Sequence, residues 1–265
     1  MLCQNYRYLP HITKDLIYRK RVVNTSLLYL TKQCSYIYWV HFIFFAVVNY
    51  LSHFHFDQSE DNKYYNVGLI LPDLARSHIS KLRINPYRNI EFTTYEITSI
   101  NDGCNKHFAS DRKFHNWLVF VDLTTRATDM IRENGDKEIN RDYFITHILV
   151  ELLLDKILVD KNPSLPDDFY NMIASVEMDW ILKYMRYAGL QDDELWKGQH
   201  RRFMKAGFLR NYTSIENVVN AVEQVGIKTG LSEMNDAQKD LLKEICETIE
   251  PDLARSIDAL EIQLL

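Results

Sequence analysis

The chain has 265 residues, of which 46% are hydrophobic and 25% are charged, and its formal net charge is −5. This composition is that of a globular protein with one sizeable core, which excludes a disordered chain, and the acidic charge gives no argument for a nucleic-acid partner. The four cysteines form no CxxC pair, so neither a zinc ribbon nor a disulfide framework is indicated and a reducing cytoplasm is expected.

The first 47 residues differ from the rest in charge, with six lysines and arginines and one acidic residue. They lead into an apolar run, 36–48, that is interrupted by His41 and is shorter than the ~20 residues of a membrane-spanning helix. This segment could be a packed helix, a weak membrane anchor, or the product of an upstream start codon. The last is favoured, because a compact-looking domain begins at Val48. We therefore predict an N-terminal extension over 1–47 and one domain over 48–265, with membrane contact possible only through 36–48.

Helical periodicity predominates in the predicted domain, since few glycines and prolines interrupt it. Residues 49–56 are expected to start a helix or to form a short buried segment. In the next predicted helix, 64–83, Pro72 predicts a kink or a new helix start, because an internal proline costs about 3 kcal/mol. Another helix is expected over 94–108, and an amphipathic one over 114–133.

A long helix is expected to follow, capped by Asp142 and running through Val159. Further helices are predicted over 169–189, 193–207, 214–229 and 234–260. No alternating strand pattern of convincing length and no internal repeat is present. The predicted fold class is therefore all-α, a single helical bundle.

Three ionisable residues, His147, Glu151 and Asp155, lie on one stripe of the long apolar helix, at positions i, i+4 and i+8. A desolvated carboxylate must be paired, protonated or bound to a metal ion. Asp155 is expected to meet solvent at the end of the helix, beside Lys156. His147 and Glu151 are predicted to face a polar cavity or a binding site, where they are candidate metal ligands.

His107, Asp111 and His115 also share one helical face. Borderline divalent cations favour mixtures of imidazole and carboxylate, and ligands at i and i+4 can share one ion. The alternative interpretation is a solvated polar face, next to Lys106 and Arg112.

Two further pairs come from the start of the domain. A helix would place His53 and His55 ~200° apart and a strand would align them. One is expected to be a metal ligand or to contact a ligand, and the other to be a packed or hydrogen-bonding histidine. Asp73 and Arg76 stand three residues apart on one face. They could form a simple ion pair worth about 0.3 kcal/mol, or Asp73 could hold a metal and Arg76 a phosphate oxygen.

In their order and spacing, these motifs resemble those of the bacterial acyl-carrier-protein phosphodiesterases, a divergent branch of the HD-type metal phosphohydrolases. Residues 49–56 are similar to the family's Asn-Phe-Leu-Ala-His-Leu-His-Leu. Residues 68–76 keep the Gly, Asp and Arg of its second motif, and residues 103–111 keep the Gly, His and Asp of its third. Residues 147–154 fall on its Asp-x-x-x-Asp-His-Phe-Leu.

The chain departs from the family at four positions, three of them within these motifs. His115 and His147 stand where the family has aspartate, and Glu151-Leu152 stands where it has Asp-His. Exchanging carboxylate for imidazole moves the preference from Mn or Mg towards Zn or Fe. The metal and the substrate could therefore differ from those of the family.

The resemblance implies an HD-like fold and a metal-dependent hydrolase of the phosphodiester that joins phosphopantetheine to an acyl carrier protein. One or two divalent ions (Mn, Zn, Fe or Mg) would be held by six residues, and three others would bind phosphate or move a proton. The metal set is His53, Asp73, His107, Asp111, His147 and Glu151, and the catalytic set is Arg76, His55 and His115.

Two other interpretations stay open. The order of His, Pro-Asp and helical His/Asp clusters also occurs in bacterial zinc-dependent phospholipases C, which cleave the same class of bond. A non-catalytic helical scaffold with a degenerate metal pocket is the third possibility, and the missing histidine at Leu152 supports it. An enzyme is favoured over a scaffold, because several ionisable groups lie in buried-looking segments.

Overall fold

The computed structural model describes residues 49–79, 81–85, 94–134 and 139–264, which fall within one unit of the chain. In these ranges the secondary structure consists of eleven α-helices and one 3-10 turn, without a strand. The predicted all-α class is therefore confirmed for the described part, whereas the relation to the HD type stays a prediction. The predicted extension over 1–47 lies outside the described residues.

The helices are numbered here in chain order. They are α1 (Tyr50–Asp57), α2 (Lys63–His78), α3 (Tyr95–His115), α4 (Leu118–Glu133), α5 (Asp142–Lys161), α6 (Leu165–Ser175), α7 (Met178–Tyr187), α8 (Asp193–Ala206), α9 (Ile215–Lys228), α10 (Asp236–Arg255) and α11 (Ile257–Leu264), with the 3-10 turn Phe208–Asn211 after α8.

Some boundaries differ from the expected ones. Helix α2 runs through Pro72 without a second helix starting there. Pro72 cannot donate to the carbonyl of Gly68, but it lies in a stretch that is buried on all sides, so packing holds the helix together. Two other predicted helices are divided in the structure. Extended backbone at Val176 and Glu177 divides the predicted helix 169–189, and the predicted helix 234–260 is divided at Ser256.

The long helix α5 forms the centre of the bundle. Its side chains from Phe144 to Asp155 are all buried, and helices α1, α4, α6, α9 and α10 pack around it. It begins after Arg141, whose φ of 62° is left-handed, so Asp142 is the first helical residue and not the expected cap. No helix in the described ranges combines the length and the apolar character needed to cross a bilayer.

Helices α2 and α3 cross at two facing glycines, Gly68 and Gly103. A Cβ added at Gly68 would lie 2.2 Å from the carbonyl oxygen of Ile100, and one added at Gly103 would lie 2.1 Å from that of Tyr65. Because the two backbones touch there, no larger residue fits at either position. Gly68 is five residues before Asp73 and Gly103 is four before His107, so this crossing brings those two side chains towards each other.

Candidate metal centre

The first candidate site joins one residue from each of three helices: His53 of α1, Asp73 of α2 and His107 of α3. Each offers one ligand atom, and these atoms lie within 4.8 Å of one another. All three residues are buried, with exposures of 4%, 8% and 4%. The Nε2 atom of His107 is 3.9 Å from Oδ1 of Asp73, and the rings of His53 and His107 are 4.1 Å apart.

Hydrogen bonding orients both imidazoles of this first triplet. Nδ1 of His107 donates to the carbonyl oxygen of Leu69 at 2.8 Å, which leaves Nε2 with its lone pair. Nδ1 of His53 lies 4.0 Å from the carboxylate of Asp57, and its buried Nε2 has no hydrogen-bond partner in the described ranges. Metal-binding histidines commonly have one ring nitrogen held by a carboxylate or a carbonyl and the other free for the ion.

Burial and neighbouring charges shift the pKa of all three residues of the first triplet. Burial raises the pKa of Asp73 to about 7, and the nearby Asp111 adds to the rise, although His53 and Arg76 oppose it. Burial lowers the pKa of His107 well below its usual value, so this ring is neutral at neutral pH. For His53, burial acts against the charged form, but Asp57 and Asp73 outweigh it and raise its pKa. A bound cation would compensate the buried carboxylate of Asp73.

The second candidate site joins His115 of α3 with His147 and Glu151 of α5. Nε2 of His115 is 2.9 Å from Oε1 of Glu151, and Nε2 of His147 is 3.1 Å from both of these atoms. Adjacent ligands at bond lengths of about 2.1 Å stand about 3.0 Å apart in an octahedral site and about 3.4 Å apart in a tetrahedral one. The triangle therefore has the dimensions of one octahedral face, the arrangement of a two-histidine, one-carboxylate triad.

The second triplet is ionised differently from the first. Burial opposes the charge of Glu151, but His147 and His115 outweigh it and lower the pKa of its carboxyl to about 2. Burial likewise opposes the charge of His115, yet Asp111 and Glu151 raise its pKa to about 9. The imidazolium of His115 thus donates to Glu151, and a cation that binds these atoms must displace that proton.

Asp111 and Arg76 link the two triplets. Oδ2 of Asp111 is 3.5 Å from Nδ1 of His115, and its charge also raises the pKa of Asp73 in the first triplet. Burial lowers the pKa of Arg76 to about 10, while the charges of Asp73 and Asp111 act in the opposite direction. The polar groups of α2, α3 and α5 therefore belong to one electrostatically coupled region.

The structure brings together most of the residues singled out from the sequence. His55 is the exception: α1 is helical, so the ring of His55 diverges from that of His53. It is half-buried, packs against Phe56 at a ring distance of 4.9 Å, and is part of neither triplet. Its catalytic role stays a prediction.

Two buried carboxylates play a part that the sequence did not assign to them. Asp57 forms an ion pair with Lys106 at 3.1 Å beside His53, and its position four residues after His53 was the available signal. The expectation that Asp155 meets solvent was wrong. Asp155 is 0% exposed and accepts hydrogen bonds from α1, while Lys156 is paired with Glu250.

The chain was compared with protein-family models, with curated proteins and with solved structures. None of the three comparisons gives a match. The chemistry of the chain therefore follows from burial, distances and hydrogen bonding at the two triplets, together with the motif resemblance.

Proposed function

We propose that this protein is a metal-dependent phosphodiester hydrolase with two neighbouring cation sites. The observation that carries the proposal is the pair of triplets, each made of two imidazoles and one carboxylate, in which every residue is buried except the half-buried His115. Ionisable groups are costly inside an apolar bundle, so a cluster of this size that serves no structural purpose would be selected against. A half-buried arginine, Arg76, is coupled to the same region.

The donor set fits a borderline divalent cation. Magnesium, calcium and manganese prefer sites built mainly from oxygen ligands, whereas imidazole suits zinc and iron better. We assign His53, Asp73 and His107 to one cation. His147 and Glu151 bind the other together with His115, in place of the proton-transfer role that the sequence suggested for His115. Asp111, whose charge acts on both triplets, completes the set.

A bound divalent cation lowers the pKa of a coordinated water towards neutral and polarises the phosphoryl oxygens. The chain itself would position the substrate. The guanidinium of Arg76 binds the non-bridging oxygens and offsets their charge as it builds up. Hydrolysis forms one new bond between a water oxygen and phosphorus and breaks the bond to the leaving oxygen, which takes up a proton.

The proposed substrate is the phosphodiester between phosphopantetheine and a carrier-protein serine, on the strength of the motif resemblance, and the proposed compartment is the cytoplasm. The argument for a scaffold was the missing histidine at Leu152. Leu152 is 1% exposed in the apolar core, and neither triplet includes it. Each triplet has two imidazoles and one carboxylate without any contribution from position 152, which favours the enzyme.

The experiment measures metal content by plasma mass spectrometry and hydrolysis of bis(p-nitrophenyl) phosphate, on the purified full-length chain. Wild type is expected to hold close to two divalent ions per chain. His107→Ala and His147→Ala are each expected to lose one of these ions. The kcat of each variant should fall by about 100-fold or more, because losing a ligand disturbs the metal on which catalysis depends.

His200→Gln is the matched control, because His200 is a buried histidine on α8 that belongs to neither triplet. This variant is expected to keep both ions. A wild-type protein that binds no divalent cation above background would refute the proposal. Metal binding without hydrolysis of any phosphodiester would leave the metal sites in place and refute the hydrolase.

A further inference from the structure

Helix α1 begins without a capping side chain of its own. Its N-cap residue is Asn49, whose side chain makes no capping hydrogen bond. The first amides of a helix have no acceptor inside it, and buried amides without an acceptor are costly. Leu51 and Ser52 are both buried in this first turn, so their N–H groups need a partner from elsewhere in the fold.

Asp155 of α5 is that partner. Its Oδ2 accepts from the N–H of Leu51 at 3.2 Å, and its Oδ1 accepts from the N–H of Ser52 at 2.8 Å and from the hydroxyl of Ser52 at 2.5 Å. A carboxylate at this end of a helix also meets the positive end of the helix dipole. More than a hundred residues along the chain, α5 thus supplies the cap that the sequence around Asn49 lacks.

The residue after Ser52 is His53, a ligand of the first triplet. Its N–H donates to the carbonyl of Asn49 at 3.3 Å, which closes the same first turn that Asp155 holds. With eight residues, α1 is too short to be stable by itself. The rotation of α1 about its axis and its position along that axis therefore depend on the groups that hold its ends. The direction of the His53 ring depends in turn on this rotation and this position.

Helix α5 carries a ligand and this clamp on one face. Glu151 of the second triplet lies one turn before Asp155, a rise of about 6 Å along the helix. The same rigid element therefore holds one cation site directly and holds His53 of the other through the backbone of α1. This arrangement fixes the two triplets relative to each other.

We infer that Asp155 is a positioning residue for His53, and through His53 for the cation site formed with Asp73 and His107. The inference rests on the proposed function, because it assumes that the first triplet binds a cation. Asp155 acts through the N–H groups of Leu51 and Ser52, and it is not itself a ligand in this assignment.

The test is a cadmium titration of the full-length chain, followed by ¹¹³Cd NMR, which gives one resonance for each occupied site, and by competition with a chelating dye. Asp155→Asn keeps the size of the side chain but turns one acceptor oxygen into an NH₂ donor that faces an N–H. We expect the first site to lose affinity about tenfold or more, as for other groups that orient a ligand. The second site should stay within about twofold of wild type by the same reasoning.

Two further variants sharpen the test. Asp160→Asn removes the same charge from an exposed position of α5, where Asp160 pairs with Lys156 at 2.8 Å, and should leave both sites unchanged. Ser52→Ala removes only the hydroxyl contact and should weaken the first site alone, by less than Asp155→Asn. If Asp155→Asn does not fold, the result for Ser52→Ala decides: a loss confined to the first site supports the inference, and unchanged affinity overturns it.

The remaining outcomes separate this inference from the proposed function. Equal weakening of both sites, or no weakening of the first, would show that Asp155 supports the fold in general and would overturn its positioning role, while leaving the metal centre intact. A wild-type chain that binds no cadmium would instead remove the metal centre, and the inference with it.

Discussion

Replacing Gly103 by alanine tests whether the close crossing of α2 and α3 assembles the first triplet. The new Cβ would lie 2.1 Å from the carbonyl oxygen of Tyr65 and 2.9 Å from Cα of Gly68, whereas ordinary contacts are 3.4–4 Å. Both obstacles are backbone atoms, so no change of side-chain rotamer relieves the clash. The two helices must therefore move apart locally by about 1 Å.

The cost can be worked out from three contributions. Overpacking of this kind costs about 3 kcal/mol, and loss of the hydrogen bond from His107 to Leu69 costs about 1 kcal/mol more. Alanine returns about 1 kcal/mol through its higher helix propensity. Gly103→Ala should therefore lower the free energy of unfolding by about 3 kcal/mol. It should also weaken the first cation site more than the second, since His107 moves away from Asp73.

The assay is urea unfolding followed by far-UV circular dichroism, without added metal. Gly198→Ala is the matched control, because Gly198 is a helical glycine of α8 with no atom within 4 Å of an added Cβ. It should raise the free energy of unfolding by about 1 kcal/mol. If the two variants had equal stability, or if Gly103→Ala bound the first cation as wild type does, the argument from the crossing would be refuted.

Three other results are expected. A divalent cation at 100 times its dissociation constant should raise the free energy of unfolding by about 2.7 kcal/mol per site; thermal melts with and without chelator measure this, and identical melting temperatures would contradict it. His55→Gln should keep both cations, because His55 is in neither triplet; loss of an ion on metal analysis would contradict the assignment. Burial, together with the charges of His200 and Lys228, lowers the pKa of His78 to about 3. His78 is thus neutral in the folded chain. Its contribution to the free energy of unfolding is complete above pH 6.5 and should be smaller by about 2 kcal/mol at pH 5. Urea titrations at both pH values should show a smaller pH dependence for His78→Gln, and an unchanged dependence would exclude His78 as its source.

The sequence was informative about the site because polar residues at helical spacing stand out in apolar surroundings. His147 and Glu151 were found in this way, inside a helix that is apolar on every other side. The pairing of His147 with His115 was not visible, because it depends on how α3 and α5 pack. The role of Asp155 was missed for a similar reason: its partners, Leu51 and Ser52, are distant in sequence, and local pattern placed it at a solvated helix end.

Pro72 shows the same limit for the fold. Local propensity predicts a break there, since proline removes one hydrogen bond of the helix. The structure keeps α2 continuous, because Leu71 and Leu74 are fully buried and the helix lies against α3 at Gly68. Tertiary packing outweighs a local preference of this size. The two motif glycines, Gly68 and Gly103, carry the information about that packing, but their spacing alone does not state which helices touch.

The ligands of each triplet come from segments far apart in the chain: His53 and His107 are 54 positions apart, and His115 and Glu151 are 36 positions apart. An unfolded chain rarely gathers such groups, because closing long loops costs entropy. If the proposed cations bind, we therefore expect folding to come first and binding of the ion second, unlike in a zinc finger, whose ligands are near neighbours and whose fold depends on the metal. Newly synthesised protein would then reach its native fold in a metal-depleted cell and could bind the cations afterwards.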